Sequence, residues 1–152
     1  MKSKILSVII PFILAACCTF LLASILQTQM VLFNLTKIQI NIPFIDRLVM
    51  SWEDLVGLLP SYGVVIVIGL AIGFSIAKLF KKFVKIDNFY LNPIAGALTM
   101  LAILIAMQPI LGVTLLAGAR STLGITLQML AGFVGGYVFL ILRTKVTSKA
   151  EI

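Results

Sequence analysis

The sequence contains no histidine, so the imidazole on which most zinc sites, haem ligation and general-base chemistry rely is missing. Cysteine is almost as scarce: Cys17 and Cys18 are the only two and are neighbours in the chain. Adjacent cysteines form neither a Cys-x-x-Cys redox pair nor a metal-ligand set, which disfavours a thiol oxidoreductase. Charged residues make up 11% of the chain and hydrophobic residues 61%, against about 25% and about 45 to 50% in an ordinary soluble domain. Water is therefore not the solvent for most of this surface. The long apolar runs also lack Asp, Glu, Lys and Arg in their cores. Carboxylate-driven ion transport needs such a group, and one charge at mid-membrane costs about 2.5 to 3.5 kcal/mol on the insertion scale. A proton pump or antiporter is disfavoured, and no cofactor or metal is expected.

What is present is apolar sequence in runs of about twenty residues, the length that crosses roughly 30 Å of hydrocarbon. The runs predict an all-α membrane protein, a bundle of four transmembrane helices in one domain over 1–152, with spans at about 5–27, 61–81, 93–111 and 122–142. Pro60 and Ser61 read as a start signal for the second span, Asn92 and Pro93 for the third, and Ser121 or Thr122 for the fourth. The first run follows a short basic start, as a secretory signal peptide would. Leu14, Ala15, Ala16 and Cys17 even resemble a lipoprotein cleavage site, but apolar residues continue to Leu26, which favours an uncleaved span. Pro11 lies early in that run, where neighbouring helices can satisfy the freed carbonyl.

Between the first two spans, Phe44, Ile45, Leu48, Val49, Trp52, Leu55, Val56 and Leu59 recur at three and four, with Asp46, Arg47, Glu53 and Asp54 between them. This spacing predicts an outer amphipathic interfacial helix over about 43–58, with Trp52 at headgroup depth. Ser51, three residues before Asp54, could instead cap a restarted helix. The apolar stretch 110–119 is too short to cross and too apolar for an ordinary loop, so it is expected as a buried turn or a re-entrant segment shielded by protein.

The net charge is +7, but its placement matters more than its sum. Lys2, Lys4, Lys78, Lys81, Lys82, Lys85, Arg143, Lys145 and Lys149 fall on one side of the expected topology. Lys37, Arg47 and Arg120 oppose Asp46, Glu53 and Asp54 on the other. This positive-inside pattern predicts both termini in the cytoplasm of a bacterial cytoplasmic (inner) membrane. It also accounts for the basic pI without nucleic acid, which is not an expected partner. The expected partners are the lipid bilayer and either further copies of the chain or a larger membrane complex.

Two sets of residues could carry function. Small residues at four-residue spacing, Gly69, Gly73 and Ala77, then Gly124, Gly132 and Gly136 with Gln128 among them, suit close helix packing with a right-handed drift. They serve either the packing of the bundle itself or a face for a partner. The second set is polar side chains near the outer half of the spans: Gln27, Gln108, Gln128 and Arg120, with Glu53, Asp54, Trp52 and Tyr62 at similar depth. These read either as interhelical hydrogen bonds and an interfacial ion pair, or as a pocket in which Arg120 grips a lipid phosphate or a carboxylate. Glu53 and Asp54 are consecutive and point about 100° apart on a helix, so they do not form an acid–base pair. Asn34, Leu35 and Thr36 form a glycosylation sequon, a short motif that often occurs by chance. The leading expectation is a non-enzymatic membrane protein that acts by self-assembly or as an accessory subunit. An oligomeric channel or facilitator, and a lipid-binding or lipid-modifying protein at the outer leaflet, are the alternatives.

Overall fold

The computed structural model describes residues 2–37, 42–83, 87–111 and 121–149. Side chains of 2–6, 88, 108–111 and 147–149 lie outside that description. Five α-helices follow one another: α1 Lys2–Lys37, α2 Phe44–Leu58, α3 Val64–Phe80, α4 Asn88–Leu111 and α5 Thr122–Lys149. Four stretches are long and apolar enough to cross a membrane, and α2 and α3 together supply one of them. The protein is an all-α, four-helix membrane bundle.

Successive spans run antiparallel, with α2 and α3 sharing one direction, and α5 is the central strut. It packs along α4 on one side and α1 on the other, while α3 lies mainly against α4 and touches α1 more lightly. The start of α1 and the end of α5 therefore lie toward one end of the bundle (the terminal end), and the end of α1 and the start of α2 lie at the other (the hairpin end). Lipid gives apolar side chains no reason to leave it, so helices associate where small residues let backbones approach. At the α4–α5 contact, a Cβ on Gly132 would collide with the Gly96 carbonyl, one on Gly96 with the Gly132 carbonyl, and one on Gly136 with the Asn92 carbonyl. A Cβ on Gly135 would instead collide with the side-chain hydroxyl of Thr19 on α1. Toward the terminal end, Phe74 of α3 stacks on Phe139 of α5 at 4.7 Å and meets Phe12 of α1 edge-on at 6.4 Å. This aromatic group joins α3 to the two helices it otherwise barely reaches.

Three boundaries differ from the sequence reading. The hydropathy of the first span falls at Gln27, but α1 continues ten residues further, to Lys37. Met30 and Leu32 are buried in that extension, so packing sustains the helix where hydropathy does not. Pro60 and Ser61 do not start a new helix. Leu59–Gly63 forms a single π-helical turn with right-handed helical backbone on either side, so α2 runs on into α3. A π turn absorbs the proline because it relaxes the backbone ladder locally. Ser51 likewise restarts nothing, since its hydroxyl donates back to the Arg47 carbonyl at 2.8 Å within the helix. The third span begins at Asn88 rather than at Asn92 and Pro93, with the Asp87 carbonyl accepting from Tyr90 and Leu91 N–H at 3.2 Å. Pro93 therefore sits in the second turn. Ser121 does cap α5, accepting the Gly124 N–H at its hydroxyl at 3.1 Å.

Candidate functional site

Polar side chains concentrate in the hairpin half of the bundle. Ser24, Gln27 and Thr28 lie at three- and four-residue spacing on one face of α1, and all three are buried. Tyr62 comes from the π turn, where the widened turn points its ring inward, and it is fully buried. Gln128 comes from the second turn of α5, about 9 Å along the axis from Thr122, and is 1% exposed.

These groups form a clasp across three segments. The Tyr62 hydroxyl donates to Oε1 of Gln128 at 3.0 Å, and Nε2 of Gln128 donates to the Ala23 carbonyl at 3.0 Å. One amide thus holds α1, α5 and the π turn together. Nearer the hairpin end, the Thr28 hydroxyl lies 2.8 Å from Oδ2 of Asp54 and 3.1 Å from the Ser24 carbonyl. A hydroxyl has one hydrogen to give, and the shorter contact to the carboxylate is the stronger acceptor. That bond fastens α2 to α1. Two atoms in the same region, Ser24 Oγ and Gln27 Oε1, are buried without a hydrogen-bond partner.

The sequence-predicted residues separate into three groups. Gln128 and Asp54 both join helices, but through different partners. Trp52 and Glu53 lie on the exposed side of α2, Trp52 at 67% exposure, and do not converge on Gln128. Arg120, the Gln108 side chain and segment 112–120 lie outside the described residues. Among the packing residues, Gly132 and Gly136 meet α4 backbone, and Gly124 is buried behind the Ser121 cap. A Cβ on Gly69 or Gly73 would meet the side chains of Ile103 or Thr99 of α4. Ala77 is buried one turn further on.

No family model, characterised protein or solved structure matches this chain. The residues themselves must carry the functional reading.

Sequence reasoning had missed Thr28, Ser24 and Gly96. Ser24 and Thr28 carried a readable signal, being polar residues four apart beside Gln27 at the end of an apolar run. Gly96 sits four residues after Asn92 and four before Met100, a row that now faces α5. Chemically, the cluster consists of neutral hydrogen-bonding groups edged by one carboxylate, that of Asp54. Among the described residues Asp54 is held by a hydroxyl and by no cation. Such an arrangement fixes helix positions.

α2 faces the opposite way from an ordinary surface helix. Arg47, Ser51, Asp54, Leu55 and Leu58 are its half-buried side, toward α1, and most of that side is polar. Ile45, Val49, Trp52, Val56 and Leu59 follow at alternating steps of four and three and are all exposed, Ile45 at 71%. No residue of the helix is fully buried within the chain.

Proposed function

We propose that this integral membrane protein is non-enzymatic and works by assembling with copies of itself, through the outward stripe of α2. The observation that carries the reading is that stripe. Within an exposed apolar face that also includes Phe44, Leu48 and Met50, these alternating steps of four and three give the 3.5-residue period of a helix–helix seam, in which each side chain enters a hole on a facing helix. Because α2 continues α3 without a break, it is held in the direction of a spanning helix. Its stripe is therefore presented sideways, at the level where the bundle meets the headgroups, and Trp52 suits that depth. A two-fold axis along the membrane normal would set two α2 helices side by side in the same direction, residue against like residue, as an isologous contact requires. In the orientation given by the positive-inside pattern, this contact lies on the side away from the cytoplasm.

The reading is tested in the membrane, before solubilisation. With Cys17 and Cys18 both changed to serine, Trp52→Cys should form an intermolecular disulfide under mild oxidation, while Arg47→Cys, on the side facing α1, should not. Equal crosslinking at both positions, or none at Trp52→Cys, contradicts the proposal. A crosslink to a different polypeptide would replace self-assembly with an accessory-subunit role.

A further inference from the structure

Ser24 and Gln27 lie three residues apart on one face of α1, in the turn between two of the ties described above. Just before them the Ala23 carbonyl accepts from Gln128, and just after them the Thr28 hydroxyl meets Asp54. Ser24 is 0% exposed and Gln27 5%, yet Ser24 Oγ and Gln27 Oε1 are buried atoms with no hydrogen-bond partner. The other buried polar side chains around them, Thr19, Thr28, Tyr62 and Gln128, are all bonded. A buried polar atom left unpaired carries the full penalty of its lost hydration, so two of them in one helical turn call for a common explanation.

The two atoms need complementary things. The Ser24 hydroxyl has its proton unspent, whereas the amide oxygen of Gln27 can only accept. They do not serve each other, and side chains at this spacing have Cβ atoms about 5 to 6 Å apart. Two hydrogen bonds of about 2.8 Å in series cover that distance. A shared partner must therefore be small, accept from Ser24 and donate to Gln27. A metal cation leaves the hydroxyl proton unspent and takes about six oxygen ligands, where two stand unpaired. An ammonium or a guanidinium only donates. A lipid headgroup is too large to reach two atoms that are sealed within the bundle.

We propose that α1 binds one internal water molecule, which accepts from Ser24 Oγ and donates to Gln27 Oε1. Water is the smallest group that does both. Buried waters settle at otherwise unsatisfied polar atoms and make about three hydrogen bonds each, and backbone carbonyls have a second lone pair to take the remaining proton. The water lets Ser24 and Gln27 stay polar inside the bundle, and it completes the polar layer between the Gln128 and Asp54 ties.

The test is a crystal structure of the full chain grown from lipid, at a resolution that shows ordered solvent, together with a double-variant cycle. Ordered solvent density within hydrogen-bond distance of both atoms is the expected result. No density there, or either atom bonded to a protein group, overturns the proposal. In the cycle, Ser24→Ala and Gln27→Met are measured singly and combined, by denaturant unfolding of micelle-embedded protein. With a shared water, the second substitution removes a bond that the first has already weakened. The rise in the unfolding constant of the combined variant should then fall short of the product of the single rises by roughly two- to tenfold, the worth of one hydrogen bond. Single effects that multiply without a shortfall mean that the two atoms share no partner, and they overturn the proposal as well. Neither residue lies on α2, so this result and the assembly reading stand or fall separately.

Discussion

Tyr62 and Gln128 are 66 positions apart in the chain and share a buried hydrogen bond of 3.0 Å. The same amide reaches Ala23 on a third helix segment. Tyr62→Phe leaves Oε1 of Gln128 buried and unpaired, whereas Gln128→Leu removes the amide. Interhelical hydrogen bonds in membranes average about 0.6 kcal/mol with a ceiling near 1.7, and an orphaned buried acceptor costs about 1 to 3 kcal/mol. Tyr62→Phe should therefore cost about 1 kcal/mol in denaturant unfolding of micelle-embedded protein. The double variant should cost less than the sum of the single ones, because both partners are then apolar. Strict additivity would show that the two residues do not act as a pair.

The glycines of α4 and α5 make a sharper contrast. Gly96→Ala or Gly132→Ala places a Cβ against the carbonyl of the opposite helix, where no side chain can rotate away. Separation of the two helices should lower stability by about 1 to 3 kcal/mol, the usual range for overpacking. Gly57→Ala meets nothing within 4 Å and replaces a poor helix former by a good one, so it should be neutral or stabilising by up to about 1 kcal/mol. Thermal unfolding of the three variants ranks them directly, and a Gly57→Ala variant as unstable as the others would contradict the packing described.

The Thr28–Asp54 bond at 2.8 Å ties α2 to α1 and lies outside the main core. Thr28→Val keeps the shape and removes the donor. Hydrogen exchange should show faster exchange confined to α2 and the last turns of α1, equivalent to about 0.5 to 1.5 kcal/mol. Exchange in α4 and α5 should be unchanged. A uniform rise across all helices would mean that α2 is part of the cooperative core.

Much of this architecture was legible in the sequence because lipid imposes long apolar runs that no soluble fold requires. Helix ends were less legible. Gln27 ends the apolar run of α1, yet the helix persists because Met30 and Leu32 find partners, a tertiary fact that hydropathy does not contain. Pro60 and the Asn92–Pro93 pair are strong start signals in isolation. In the folded chain a π turn accommodates the first, and a helix beginning one turn earlier absorbs the second. The depth of Tyr62 relative to Gln128 could be estimated by counting residues. The Ala23 carbonyl as third partner could not, because a backbone acceptor has no sequence signature. The α2 periodicity was visible, but not which face would turn outward. That choice is made by Arg47, Ser51 and Asp54 lying toward α1, with Asp54 bonded to Thr28.

Removing the apolar character of the α2 stripe should abolish assembly without unfolding the bundle, because the stripe residues are exposed within the chain. Val49→Asp places a charge in the middle of the proposed seam and leaves the α1-facing side untouched. The most direct measurement is the copy number of gently solubilised protein at natural expression level, by native mass spectrometry, for the wild type and Val49→Asp side by side. A defined homo-oligomer for the wild type and a folded monomer for Val49→Asp is the predicted result. A monomeric wild type, or a Val49→Asp variant with the same copy number as the wild type, would contradict assembly through α2.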